Sequence, residues 1–357
     1  MLPQADAEPV VLGHSVIPPR QRHSIANIPI CAVKKARTCA TMVPSNMVKL
    51  GLAITAITVA ILLAGFLRCR KHTFPVYGWA SLAALLAAEV LMFRHIEPVA
   101  TYFTPLAWTA FIFLADAAVR AVSGTSRLQK NPREFAMVAL LSIPLWLIFE
   151  AYNLRLENWT YTGLPENLVA RYFGYAWSFA TITPGIFVTA DLVQAFSWFA
   201  RPAKVVRFSP RALHWMTVVG ALFLILPLIL PKEAGAYLFA LVWLGFVLLL
   251  DPVNYRLRLP SLLGDLAEGR RAHLYSLLLS GWACGFLWEF WNYWATAKWI
   301  YIFPMFQQVK IFEMPVPGFL GFLPFALECF TMYVLAAWLV GGRPAPQQVA
   351  RPAQKKA

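Results

Sequence analysis

Apolar residues run almost unbroken for about 20 positions at a time along this chain, and short polar segments separate the runs. Nine such stretches are legible, at about 48–67, 74–93, 103–122, 135–153, 172–199, 213–230, 234–253, 273–292 and 317–340. A helix of roughly 20 apolar residues crosses the hydrocarbon layer of a bilayer. The runs are continuous rather than alternating, which argues for helices and against a lipid-facing β-barrel. The pattern therefore predicts an all-α, polytopic membrane bundle of about nine transmembrane helices.

Composition agrees. Of 357 residues, 59% are hydrophobic and only 13% are charged, where soluble domains carry about 25% charged residues. Mean hydropathy is +0.58. A soluble enzyme, a disordered chain and a disulfide scaffold are excluded. The net charge of +14 raises the question of nucleic acid, but no basic, aromatic-interleaved face of a soluble fold is available to bind it.

The charge instead alternates between loops. Those after the first, third, fifth and seventh runs hold clusters such as Arg68, Arg70 and Lys71, or Arg201, Lys204, Arg207 and Arg211. The intervening loops are poorer. The positive-inside rule then places the C-terminus in the cytoplasm of a bacterial-type inner membrane. The expected organisation is a disordered basic tail or mis-assigned start at 1–46, a first transmembrane helix at 47–73, membrane units at 74–200 and 201–342, and a basic cytoplasmic tail at 343–357.

Two segments match internally. FEAYNLRLENWTY around 149–161 and WEFWNYWATAKWIY around 288–301 share Glu-x-x-Asn, then a Trp six or seven residues after the Asn, then x-Tyr. Upstream, FIFLAD ending at Asp116 matches FVLLLD ending at Asp251, with Asp-to-Glu separations of 34 and 38 residues. Runs 2–5 and 6–9 thus read as two parallel four-helix repeats.

Ionisable residues inside membrane spans are costly and are functional candidates by default. Here they are Glu89, Asp116, Glu150, Asp191, Asp251, Glu289 and Glu328. In Glu-x-x-Asn the two side chains share one helical face, so Asn153 and Asn292 are expected to bond Glu150 and Glu289. Counting along the helices brings these two acids, Glu328 and Glu89 toward one cavity in the outer half. Buried carboxyls of this kind suit general acid catalysis, or they glue helices together. Asp116 and Asp251 are expected to cap helix ends or meet Arg120 or Arg256. Trp288, Trp291, Trp299, Tyr301, Trp159 and Tyr161 are candidates for a substrate-binding wall whose π faces stabilise a cation, or for an interfacial belt. The five cysteines form no CxxC, and no cofactor or metal motif occurs, so neither group is expected.

Glu289-x-x-Asn292-Tyr293 with Trp299-x-Tyr301, followed by Pro324-Phe-Ala-Leu-Glu328-Cys-Phe330, resembles the integral-membrane lycopene cyclase domain. The resemblance is best over 288–330 and partial over 149–161, about a sixth of the chain. A single acid, Glu328, stands where the family has tandem carboxylates. The resemblance implies cofactor-independent, acid-catalysed cyclisation or hydration of an isoprenoid or carotenoid dissolved in the bilayer. On that reading Glu328 is the general acid, with Glu289 and Asn292 completing the site and Glu150 and Asn153 as the matching pair. The expected partners are membrane lipid and a hydrophobic small molecule; the sequence carries no signal of oligomeric state. The alternative is a proton-coupled transporter or permease using the same carboxyls.

Overall fold

A computed structural model describes residues 43–342. The expectations for 1–42 and 343–357, with Cys31 and Cys39, lie outside the described residues. In chain order the helices are α1 (Ser45–Cys69), α2 (Val76–Phe93), α3 (Phe103–Ser123), α4 (Arg127–Lys130), α5 (Pro132–Leu156), α6 (Leu168–Ala195), α7 (Pro210–Ile229), α8 (Lys232–Tyr237), α9 (Phe239–Arg256), α10 (Leu262–Ala267), α11 (Ala272–Trp294) and α12 (Phe322–Leu339). Strands β1 (Trp159–Thr162) and β2 (Lys298–Tyr301) pair with each other, as do β3 (Lys310–Ile311) and β4 (Met314–Pro315).

Eight helical segments among the described residues are long and apolar enough to cross a membrane: α1, α2, α3, α5, α6, α7, α9 and Val316–Leu339. The chain is thus an integral, multi-pass helical membrane protein. In lipid a helix meets its own backbone hydrogen bonds, which is why these runs take that form. The ninth expected run is helix α11, 23 residues long but less apolar, because His273, Glu289, Asn292 and several Trp interrupt it. The last apolar segment begins as a 3-10 turn over Val316–Gly321 before α12. There Gly321 lets Trp243 approach so closely that a Cβ would lie 2.0 Å from its ring.

Side chains set the helix starts. Asn131, Asn167, Ser209 and Ser261 each accept from a backbone N–H in the first turn of the following helix, meeting donors a helix leaves open. Pro184 does not break α6. The hydroxyl of Ser142 on α5 accepts from Thr183 N and donates to the Phe179 carbonyl, standing in the gap of the helical ladder.

Helix packing runs α2–α3–α6–α5 in the first part of the chain and α7–α9–α12–α11 in the second, with α6 against α11 and α5 against α12. Where the parts meet, Trp108 stacks obliquely on Trp288 and edge-on to Trp291, at centroid separations of 4.8 and 5.0 Å. The end near Asp116 and Asp251 is the basic end; the opposite one carries β1 and β2.

At the basic end both aspartates cap short helices. Asp116 accepts from Leu128 N of α4 and from Tyr77, while Asp251 accepts from Leu262 N and Leu263 N of α10. Asp191, one of the in-span acids, forms an ion pair with Arg127, which also approaches Glu134.

Candidate functional site

Each Glu-x-x-Asn…Trp-x-Tyr motif folds into the same small device. The Asn amide turns away from the carboxyl one turn before it and clasps the backbone of the Trp beyond the helix end. Asn153 accepts from Asn158 N and Trp159 N and donates to the Trp159 carbonyl. Asn292 accepts from Trp299 N and donates to the Trp299 carbonyl, at 3.0 and 2.9 Å. The expected Asn–Glu bond is therefore absent: satisfying two backbone groups of an incoming strand is worth more than one side-chain contact. The clasp places the Tyr two residues on above the helix that began the motif, and its hydroxyl returns to the Glu. Tyr161 donates to Glu150 Oε1 at 2.5 Å, and Tyr301 to Glu289 Oε1 at 3.0 Å.

The two strands then pair antiparallel in a self-complementary register, Trp159 opposite Tyr301 and Tyr161 opposite Trp299. Gly163 turns the chain after β1 at φ +68°, and a Cβ there would lie 2.0 Å from the Thr296 carbonyl, so the close approach of the two segments requires glycine. Burial, and next the adjacent carboxyl, hold the hydroxyls of Tyr161 and Tyr301 well above the ordinary tyrosine range, so both remain donors.

Beside this strand pair, between the two parts of the bundle, lies a cavity of about 430 Å³. Of the six aromatic candidates Trp288, Trp159, Tyr161, Trp299 and Tyr301 line it; Trp291 does not, and instead packs on Trp108 and donates to Glu89. Lining residues missed from the sequence include Trp146, Tyr175, Trp243 and Phe325. Their contributing helices are remote in sequence, and apolar runs carry no signal of which face turns inward.

The acids do not share the cavity as expected. Glu150 and Glu289 stand behind it, screened by Tyr161 and Tyr301. Glu89 is held by the Trp291 indole. Glu328 does not line this cavity: it is fully buried among neighbours that include Tyr152 and Cys329, and neither carboxyl oxygen has a hydrogen-bond partner among the described residues. Position along a helix gives depth but not direction, and the directions of these side chains differ.

No protein-family model, no curated protein and no solved structure matches this chain.

Proposed function

We propose that the protein is an integral-membrane enzyme that admits an apolar, isoprenoid-like molecule from the bilayer and rearranges it by proton transfer, through cyclisation or hydration. The observation that carries this reading is the pairing of two Glu–Tyr units with an aromatic cavity. A volume of about 430 Å³ falls within the range of sites for drug-sized molecules, roughly 300–1,000 Å³, enough for one end of a longer chain. Tyr301 and Tyr161 are the last proton-bearing groups between carboxyl and cavity, and the surrounding indole faces suit a carbocation. The acid is then Glu289 acting through Tyr301, with Glu150 as its counterpart, in preference to Glu328, which does not reach the cavity. Positioning falls to Asn292 and Asn153.

The same reading includes nine crossings, α11 being the ninth, and descent of the two parts of the bundle from a duplication. The matching Asn clasps, aspartate caps and packing orders support it. It also places the basic end and the C-terminus in the cytoplasm, so a cytoplasm-active reporter after Lys356 gives signal and an export-active one does not.

A transporter draws support from Glu328, buried without a partner, and from the 3-10 turn in the last apolar segment. Comparing isoprenoids extracted from cells with and without the gene separates the two. A product that appears with the wild-type chain and vanishes with Glu289→Gln supports the enzyme. An unchanged profile, with proton flux in proteoliposomes, supports the transporter.

A further inference from the structure

The cavity wall is mainly apolar, with a few polar and charged groups set into it. Three of its residues also carry polar atoms without a hydrogen-bond partner, packed behind the surface the cavity exposes: Thr104 Oγ1, Trp108 Nε1, and both ends of the Asn158 amide. Buried polar groups in native proteins are nearly always satisfied, and each exception calls for a reason. Asn158 is not loose. Its backbone N–H is held by Asn153 and its carbonyl accepts from Ile302 N, so its side chain is presented by fixed strand geometry.

The wall also holds two cations, Arg171 and Lys298, and no acid. Both lie beside the strand pair: Lys298 is opposite Thr162, while Arg171 Nε donates to the Pro165 carbonyl in the loop just after that strand. They differ in one respect. The Lys298 ammonium is matched by Glu313 at 2.6 Å, whereas the Arg171 guanidinium forms no ion pair among the described residues.

We propose that the ligand of this cavity is an amphiphile: an apolar chain against the aromatic wall and an anionic oxygen head, carboxylate or phosphate, at Arg171. A planar guanidinium with donors to spare is the group best suited to such a head. This rests on the reading of the cavity as the seat of a bilayer-dissolved molecule and names the chemical class of that molecule.

The test uses the full chain in nanodiscs of phosphatidylcholine, titrated with four probes while intrinsic tryptophan fluorescence is followed. The probes are farnesyl monophosphate, farnesol, palmitate and palmityl alcohol. Each anion is expected to bind about tenfold or more tighter than the alcohol of the same chain, as one charge-assisted contact allows. A preference confined to one anion identifies the head as phosphate or as carboxylate. Arg171→Gln should remove the preference and leave alcohol binding unchanged, and Arg171→Lys should restore most of it. Should Arg171→Gln not fold, the wild-type comparison of anion with alcohol decides alone. Equal binding of anion and alcohol overturns this proposal and leaves the apolar cavity site standing. Loss of alcohol and anion binding together in folded Arg171→Gln also overturns it. Failure of all four probes to bind overturns both the proposal and the cavity reading beneath it.

Discussion

Glu150 and Glu289 are held by the same device and are wired differently. One oxygen of Glu150 takes three donors, from the indoles of Trp146 and Trp159 and the hydroxyl of Tyr161. Among the described residues Glu289 takes its close hydrogen bond from Tyr301; the Trp299 indole donates to the Tyr301 oxygen and reaches the carboxyl only weakly, and Glu289 Oε2 has no partner. The cause lies one helical turn back. Where Trp146 precedes Glu150 by four residues, Gly285 precedes Glu289, and the space of the missing side chain is filled by Phe322, whose ring would lie 2.3 Å from a Cβ. A shared motif sets the backbone geometry, while one neighbouring residue decides how well a charge is supported. Carboxyls in unequal surroundings divide acid–base roles between them. Here Glu150 is the better-donated of the two, and on the proposed function Glu289 is the group that gives up a proton.

The largest expected effect bears directly on that division. On the proposed function, Glu289→Gln keeps the shape and removes the transferable proton, so product formation should fall by a factor on the order of 10² to 10⁴. Glu150→Gln should cost less, about tenfold, the worth of one charged hydrogen bond. Equal losses measured on matched preparations would erase the distinction.

Next come the clasps. Asn292 is fully buried, so Asn292→Ala leaves two backbone groups of Trp299 unmet where water enters poorly and should destabilise by on the order of 3 kcal/mol. Asn153 is half-buried and water can take its place, so Asn153→Ala should cost about 1–2 kcal/mol. Melting in detergent checks the order. Trp146→Phe, which removes one of three donors to Glu150, should cost about 1 kcal/mol and leave the fluorescence of the Trp299 side unaltered.

The smallest effect lies at the basic end, where the halves also differ. Arg127 joins Asp191 there in the first half, and Asp265 joins His273 and Arg270 in the second. Burial raises the Asp265 carboxyl, but the hydrogen bond and charge of His273, then those of Arg270, outweigh it and hold the group below its ordinary value. A carboxyl lowered on folding adds stability that is present above its unfolded value, about 3.9, and is lost as pH falls through the lowered folded one. Asp265→Asn should therefore melt on the order of 2 °C lower at pH 7, and the gap should close below about pH 4.

Much of the fold was legible because a membrane imposes long apolar runs with charged punctuation, and little else yields that pattern. The matched Glu-x-x-Asn…Trp-x-Tyr segments were legible too, as were Trp159, Tyr161, Trp288, Trp299 and Tyr301 as a wall. Their pairing across the bundle was not, because four-residue strands have no periodicity to read and pair at a separation of about 140 residues. Asn153 and Asn292 were misread as partners of the acids because helical spacing shows which side chains are near each other, not which backbone groups arrive from elsewhere. Glu328 was placed by depth alone. Nothing local marks the exchange of Trp146 for Gly285 as important, since its effect depends on Phe322 from another helix.

On the proposed function the cavity beside the paired Trp-x-Tyr strands is the seat of a bilayer-dissolved molecule. Photo-crosslinking in native membranes with a diazirine-bearing isoprenoid, followed by peptide mapping, tests it most directly. Adducts are expected to concentrate in residues 159–182 and 288–325 and to be competed away by unlabelled isoprenoid. Adducts spread over lipid-facing positions such as Ile57, Leu63 and Leu86, without enrichment at the cavity, would contradict it.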